Sequence, residues 1–366
     1  MRILELCLSP AFGGLEIHVR DFCVWLLRQE EAELFLGLQE NSAIDAELRQ
    51  YNRPTLYYPH STGKFPYRAA RRLAGFIEKN QVDVIHMHWK DDLPLVSLAK
   101  RIAKRSVALV HSRHMLLPGK KHDLYHRFIY EPLDRYITIT KDLKRAAEQN
   151  LPIAKDKISV VYYGVNLPRI LSNDERESLK KQFNIVHRFT VGLIGRVCQP
   201  KKQHLFVQAV NLLKKQKIEI YAVIAGSVDD EQYMAKLRRQ INEEGLNTQI
   251  TISGFYDRPT DLMQCFDVLI MPSGVETFGL VLIEGMHCGI PVIGSNRGGV
   301  LEIIDHGVTG LLFEADDAQS LAEAIARLYN DNALRLQLAR AGQQKARKMF
   351  VAEEQYRKVL NHLKAF

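Results

Sequence analysis

The chain has 366 residues, 46% hydrophobic and 25% charged, with a formal net charge of +8. That length exceeds what one hydrophobic core organises and predicts two domains, and the ordinary composition excludes a fibre, a coiled coil or a disordered chain. Five cysteines (Cys7, Cys23, Cys198, Cys265, Cys288) stand far apart with no Cys-x-x-Cys pair, which excludes zinc-finger and dithiol redox spacing and predicts reduced core thiols in a cytoplasmic protein.

The first residues, Met1 to Leu6, are too short and too acidic for a signal peptide and read as a strand. No window approaches the roughly 18 apolar residues that a spanning helix needs. In chain order, strands are predicted over 2–8, 33–38, 82–88, 107–111, 136–140 and 158–162, with helices over 15–29 and 93–104. Thr140 is placed to cap the helix that follows it. The segment near 168–188 is polar and reads as a linker. The rhythm then restarts, with strands over 190–194, 218–225, 250–253, 268–271 and 291–294 and a helix over 204–215. Alternating strands and helices predict two α/β units with doubly wound parallel sheets, facing a cleft. In such sheets ligands bind outside the carboxyl ends of the strands.

The most informative stretch runs from Pro272 to Glu302. A strand ends at Met271, a loop carries Glu276, and a helix begins near Phe278 or Gly279. That helix is apolar almost all round (Leu280, Val281, Leu282, Ile283, Met286), so it must be buried, yet it contains Glu284. A buried carboxylate is costly unless paired. Either the protein satisfies it internally, or a polyhydroxylated ligand donates to it. The helix start around Thr277–Leu280 is a candidate anion site, with Gly279 permitting close approach, or simply a glycine-led helix start. A second stretch, Gly195-Arg196 followed by Pro200-Lys201-Lys202, offers two cations after a strand. They can converge on a diphosphate or stand in solvent.

After the first strand comes Gly13-Gly14-Leu-Glu16. It is not Gly-x-Gly-x-x-Gly, which argues against a nicotinamide or flavin fingerprint. It reads as a plain turn or as a close approach to phosphate. His86 and His88 end one strand, and His111 and His114 follow the next. No carboxylate or cysteine stands at metal-ligand spacing beside them, so no metal site is predicted. Between Lys64 and Arg127 there are 14 Lys and Arg against 5 Asp and Glu, an excess of +9 that covers the whole charge imbalance. The stretch fits an anionic membrane surface, an acidic glycan or glycolipid, or a solvated helical face. It lacks a recognised nucleic-acid motif, so no nucleic-acid partner is expected.

Together these residues resemble the retaining glycosyltransferase family 4 (the group 1 glycosyltransferases), with the GT-B fold of two Rossmann-like domains, over essentially the whole chain. The strongest element is Glu276-x7-Glu284 within Pro-Ser-x-x-Glu-x-Phe-Gly-Leu. Gly195-Arg196…Lys201, Gly13-Gly14-x-Glu16 and Gly298-Gly299-x-x-Glu302 agree with it. Gly226-Ser227-Val228, where relatives often carry Gly-x-Gly, and Tyr163-Gly164-Val165-Asn166 depart from the pattern.

The resemblance implies an acceptor-binding domain over 1–167, a donor-binding domain over 168–350, and a last helix, 351–366, that packs back on the first domain. It implies a nucleotide-sugar donor, by expectation a UDP-sugar, and a glycan or glycolipid acceptor of lipopolysaccharide-core or other cell-surface assembly. Arg196 and Lys201 would hold the diphosphate, Glu276 the donor sugar and Glu284 the ribose. Gly14 and the amides of Phe278, Gly279 and Leu280 would complete the donor site. His114, rather than His111, would stand at the reacting centre, and Glu16, His86 and His88 fall on the acceptor side. No metal or other cofactor is implied, because the cations stabilise the departing diphosphate. The basic stretch would touch the inner face of the cytoplasmic membrane. An epimerase or hydrolase on the same fold, and a non-catalytic glycan- or membrane-binding protein, are the rival readings.

Overall fold

The computed structural model describes residues 1–11, 13–58, 63–117, 119–185, 189–274 and 276–366. The chain forms two compact units, one of Met1–Gly164 with Glu353–Phe366 and the other of Val165–Ala352.

The first unit holds a seven-stranded sheet: β1 (Arg2–Cys7), β2 (Glu33–Gln39), β3 (Thr55–Tyr58), β4 (Val84–Met87), β5 (Ala108–Arg113), β6 (Arg135–Thr138) and β7 (Ile158–Val160). Their order across the sheet is β3-β2-β1-β4-β5-β6-β7, all parallel. β1 and β4 are buried almost throughout, as expected of central strands covered by helices on both faces. The helix Ala352–Leu363 belongs here, with Tyr356 packing against the rings of Phe22 and Trp25 and the Trp25 indole N–H donating to Glu353 at 2.5 Å.

The second unit holds six parallel strands: β8 (Thr190–Ile194), β9 (Tyr221–Ala225), β10 (Ile250–Gly254), β11 (Val268–Met271), β12 (Val292–Ser295) and β13 (Leu311–Phe313). Their order is β10-β9-β8-β11-β12-β13. Both sheets wind outward in two directions from a central strand. The chain therefore reverses between β1 and β4 in one unit and between β8 and β11 in the other, and those reversals are where such sheets bind ligands.

The segment expected to be a linker is instead the helix Asn173–Gln182 of the second unit. Ser172 and Glu175 cap each other's backbone N–H in a capping box, and Leu179 anchors the helix from its one buried position. Its many charges face solvent, which is why polarity alone suggested a linker. Thr140 caps Lys141–Asn150 through the N–H of Leu143, as expected. β3, β13 and the helix Tyr67–Asn80 went unread in the sequence. Among the described residues no helix is long and apolar enough to cross a membrane, and all five cysteines are free thiols.

Candidate functional site

In the second unit the loops after β8 and β11 meet. After β8 the chain turns at Gly195, whose N–H donates to the Ala225 carbonyl. A β-carbon on Gly226 would lie 2.0 Å from the Gly195 carbonyl oxygen, so glycine alone lets the two loops touch. Val197 pairs with Val228, and Asp229 receives the Arg196 guanidinium at 2.7 Å. The Gly226-Ser227-Val228 departure thus serves to brace the cationic loop. Pro200 begins a tight turn, and its carbonyl accepts from the N–H of Gly274 in the loop after β11. That contact brings Lys201 to Glu276, with nitrogen and oxygen 2.7 Å apart and both side chains about one-quarter exposed or less. Lys202 and Arg297 both pair with Asp316.

The helix Leu280–His287 starts at Gly279, which caps it at φ +110°, a conformation other residues resist. Gly298 and Gly299 press on the loop before it, and the N–H of Gly299 donates to the Glu276 carbonyl. Phe278 is buried, with its ring edge-on to Phe350, so its side chain fixes the loop. Glu284 decides the question left open by the sequence. Its carboxylate has no hydrogen bond or ion pair among the described residues, and burial pushes it up to about 7. It retains some contact with solvent. None of the described residues satisfies this carboxylate, so it is available to a donor of hydroxyl hydrogen bonds.

In the first unit the histidines form one buried chain. Glu5, at the centre of β1, stands opposite His86 in the sheet register. Its two oxygens meet His86 Nδ1 at 2.9 Å and His88 Nε2 at 2.7 Å. His86 continues to the Ser112 hydroxyl at 2.7 Å. His88 Nδ1 meets His114 Nε2 at 3.0 Å, and His114 Nδ1 meets the Tyr163 hydroxyl at 2.5 Å. Burial alone would raise the Glu5 carboxyl, but the charges and hydrogen bonds of His86 and His88 outweigh it and hold it well below the ordinary range. Burial lowers His88 and His114, assisted by neighbouring histidines. Sequence spacing showed no carboxylate beside these histidines, whereas the sheet supplies one. Glu5, His86 and His88 lie close enough to hold a metal ion, and hydrogen bonds among them use the same atoms.

His111 lies wholly inside, against the Tyr136 ring, while His114 lies just past the end of β5. Glu16 caps its own helix, accepting from the Gly13 N–H at 2.8 Å and from the Ser9 hydroxyl. Glu16, His86 and His88, expected on the acceptor side, therefore have their polar atoms engaged within the unit. Gly14 is the first residue of the helix Gly14–Leu26.

Residues 12–169 match the family model Glycosyltransferase Family 4, and residues 174–345 match Glycosyl transferases group 1. The chain belongs to the family 4, group 1 glycosyltransferases. This glycosyltransferase is 27% identical over 340 residues to an uncharacterised glycosyltransferase of Methanocaldococcus jannaschii, covering 87% of this chain and 86% of the relative. It is 24% identical over 246 residues to the lipopolysaccharide core biosynthesis mannosyltransferase LpsB of Rhizobium meliloti, covering 66% of this chain and 68% of LpsB. Its fold is that of Anabaena HepE, solved with UDP and glucose, with a TM-score of 0.84, 24% identity and complete coverage of both chains. The two parallel-sheet units are thus the Rossmann-like pair of the GT-B fold.

The structure also sorts the basic stretch of the glycosyltransferase. Lys100 pairs with Asp134, Arg101 with Glu131 and Arg105 with Asp83, and Arg72 donates to the Tyr57 carbonyl. Arg68 and Arg71 are exposed on the helix Tyr67–Asn80. Glu5, Tyr163, Asp229 and Asp316 were missed in the sequence, since each is remote from the motif it supports. The Lys201-Lys202 doublet was the one sequence signal for Lys202.

Proposed function

We propose that this glycosyltransferase is a retaining, metal-independent enzyme that moves a sugar from a UDP-sugar to a glycan or glycolipid, in assembly of a lipopolysaccharide core or another cell-surface polysaccharide. The observation that carries the donor reading is the carboxylate of Glu284, unpartnered among the described residues, on the helix that follows the loop carrying Glu276, the partner of Lys201. A ribose supplies the hydroxyl donors Glu284 lacks. Arg196 and Lys201 neutralise the diphosphate as its bond to the sugar breaks, in place of a metal ion. Glu276 takes hydroxyls of the donor sugar. The bond from the anomeric carbon to the diphosphate breaks and one to the acceptor hydroxyl oxygen forms on the same face. The acceptor proton passes to the leaving phosphate.

The UDP and glucose of HepE and the lipopolysaccharide role of LpsB support the donor and the pathway. The exposed Arg68 and Arg71 support peripheral contact with the inner face of the cytoplasmic membrane. A thermal-shift screen of UDP-, GDP-, ADP- and CMP-sugars without metal, with Arg196→Ala as control, tests the reading. Stabilisation by a UDP-sugar that the variant loses upholds it. No shift with any of them rejects it, and free sugar or epimer formed without acceptor points to a hydrolase or epimerase.

A further inference from the structure

The first unit contains a cavity of about 310 Å³ that the histidine chain does not enter. Lys64, Lys90, Arg113, Lys121 and His126 line it, against the single carboxylate of Asp91. Asp91 is already paired with Lys90 at 2.9 Å. His126 donates from Nδ1 to Asp123 at 2.5 Å and faces the Lys121 ammonium with Nε2 at 3.3 Å. Lys64, Arg113 and Lys121 are left with no carboxylate partner among the described residues.

Arg113 is the informative one. It is 3% exposed, and Nε and Nη2 donate to the carbonyls of Met115 and Leu116 at 2.7 and 2.5 Å. Carbonyls aim a guanidinium without neutralising it, and an unpaired buried charge is costly. Burial, with the nearby charges of Arg113 and Lys90, lowers Lys121 from its ordinary range. The cations therefore crowd one another around a space whose single lining carboxylate, Asp91, is paired with Lys90. Next in sequence to the lining residues Lys64 and Tyr125, Phe65 is 75% and Leu124 is 85% exposed, and the Phe65 ring packs on Tyr125 at 5.5 Å.

We propose that this cavity binds a phosphate or diphosphate group of the acceptor, with the fixed Arg113 guanidinium and the Lys64 and Lys121 ammonium groups as its counter-ions. A fixed guanidinium suits paired phosphate oxygens, and mobile lysines close on the remaining ones. The proposal rests on the transferase reading and deepens it by giving the acceptor its charge. The phosphate comes either from a soluble phosphorylated glycan or from a lipid headgroup, whose chain the exposed Phe65 and Leu124 would meet.

The test uses the full-length chain with Arg196→Ala and Lys201→Ala, which removes the diphosphate clamp of the second unit, and inorganic pyrophosphate as probe in calorimetry. Saturable binding that weakens about tenfold or more when Lys64→Gln and Lys121→Gln are added upholds the site, as expected when charge-assisted hydrogen bonds are lost. Absence of binding, or equal affinity with and without those two changes, overturns it. UDP binding to the chain with Arg196 and Lys201 intact is measured separately, so failure of the donor reading is distinguishable. Vesicles of phosphatidylcholine with and without phosphatidic acid separate the two sources. Binding to the doped vesicles that pyrophosphate displaces assigns the phosphate to a lipid, and pyrophosphate binding without vesicle binding assigns it to a soluble acceptor.

Discussion

Lys201 and Glu276, 75 residues apart in the chain, form an ion pair of 2.7 Å between the loops that follow β8 and β11. The pair spans the reversal point of the sheet, and in the proposed function Lys201 holds the diphosphate and Glu276 the sugar. The two are therefore expected to separate by measurement. Lys201→Ala should weaken UDP binding about tenfold or more, the cost of a charge-assisted hydrogen bond. Glu276→Gln should leave UDP affinity nearly unchanged and lower turnover of the UDP-sugar by roughly 10- to 100-fold. Calorimetry with UDP and steady-state kinetics read the two effects. Equal losses of UDP affinity in both variants would count against this division of labour.

Glu284 predicts a pH dependence. Burial pushes its carboxyl up to about 7, and the ionised form is the stronger acceptor for the ribose hydroxyls of the proposed donor. UDP affinity should be constant well above that value and fall as the pH drops through it. In Glu284→Gln this part of the pH dependence should vanish. The stability effect has the opposite direction. A carboxyl raised in the folded state stabilises the fold below its unfolded value of about 4.5, and that contribution is lost as the pH rises through about 7. Glu284→Gln should therefore raise the Tm of the unliganded protein more at alkaline than at acidic pH. A Tm difference independent of pH would contradict the assignment.

Much of the second unit's site was legible because its residues are close in sequence to a strand end and a helix start. Arg196 and Lys201 stood out as cations after a strand end and Glu284 as a carboxylate in an apolar helix, whereas the role of Glu276 came from the family resemblance alone. What the sequence did not disclose are partners brought together by sheet register. Glu5 in β1 faces His86 in β4 only because those strands are neighbours, and nothing local to either residue indicates it. The helix Asn173–Gln182 was hidden for a different reason. With one buried side chain it has almost no apolar periodicity, and its capping box was the signal to read.

Two glycines should respond to alanine with opposite signs. A β-carbon on Gly299 would lie 2.4 Å from the Thr277 carbonyl oxygen and 2.5 Å from the Phe278 Cα, and backbone cannot yield as a flexible side chain does. Gly299→Ala should cost about 1–3 kcal/mol and displace the loop that carries Glu276, weakening the donor site as well. Gly75 sits in the helix Tyr67–Asn80 with nothing within 4 Å of its added β-carbon. Gly75→Ala should stabilise by about 0.5–1 kcal/mol through the unfolded chain and the helix. Urea unfolding of the two variants checks both signs, and the Gly75 variant should retain full UDP affinity.

The histidine chain of the first unit makes a prediction that does not depend on turnover. An ionised Glu5 can only accept, so His88 must donate to it from Nε2, leaving Nδ1 as an acceptor. His114 then donates from Nε2 to His88, and its Nδ1 accepts the Tyr163 hydroxyl proton. The tautomer of His114 is thus set by Glu5, two hydrogen bonds away. In Glu5→Gln the amide can accept from one histidine while its NH2 group must donate to the other. If His86 keeps the carbonyl, the amide donates to His88 Nε2, and every proton downstream reverses. His114 then carries its proton on Nδ1 and directs it at the Tyr163 oxygen. Long-range proton–nitrogen NMR of the imidazole rings distinguishes the tautomers. The wild-type spectrum should show His114 protonated at Nε2, and Glu5→Gln should move that proton to Nδ1. An unchanged tautomer would show that the order imposed by Glu5 stops at His88.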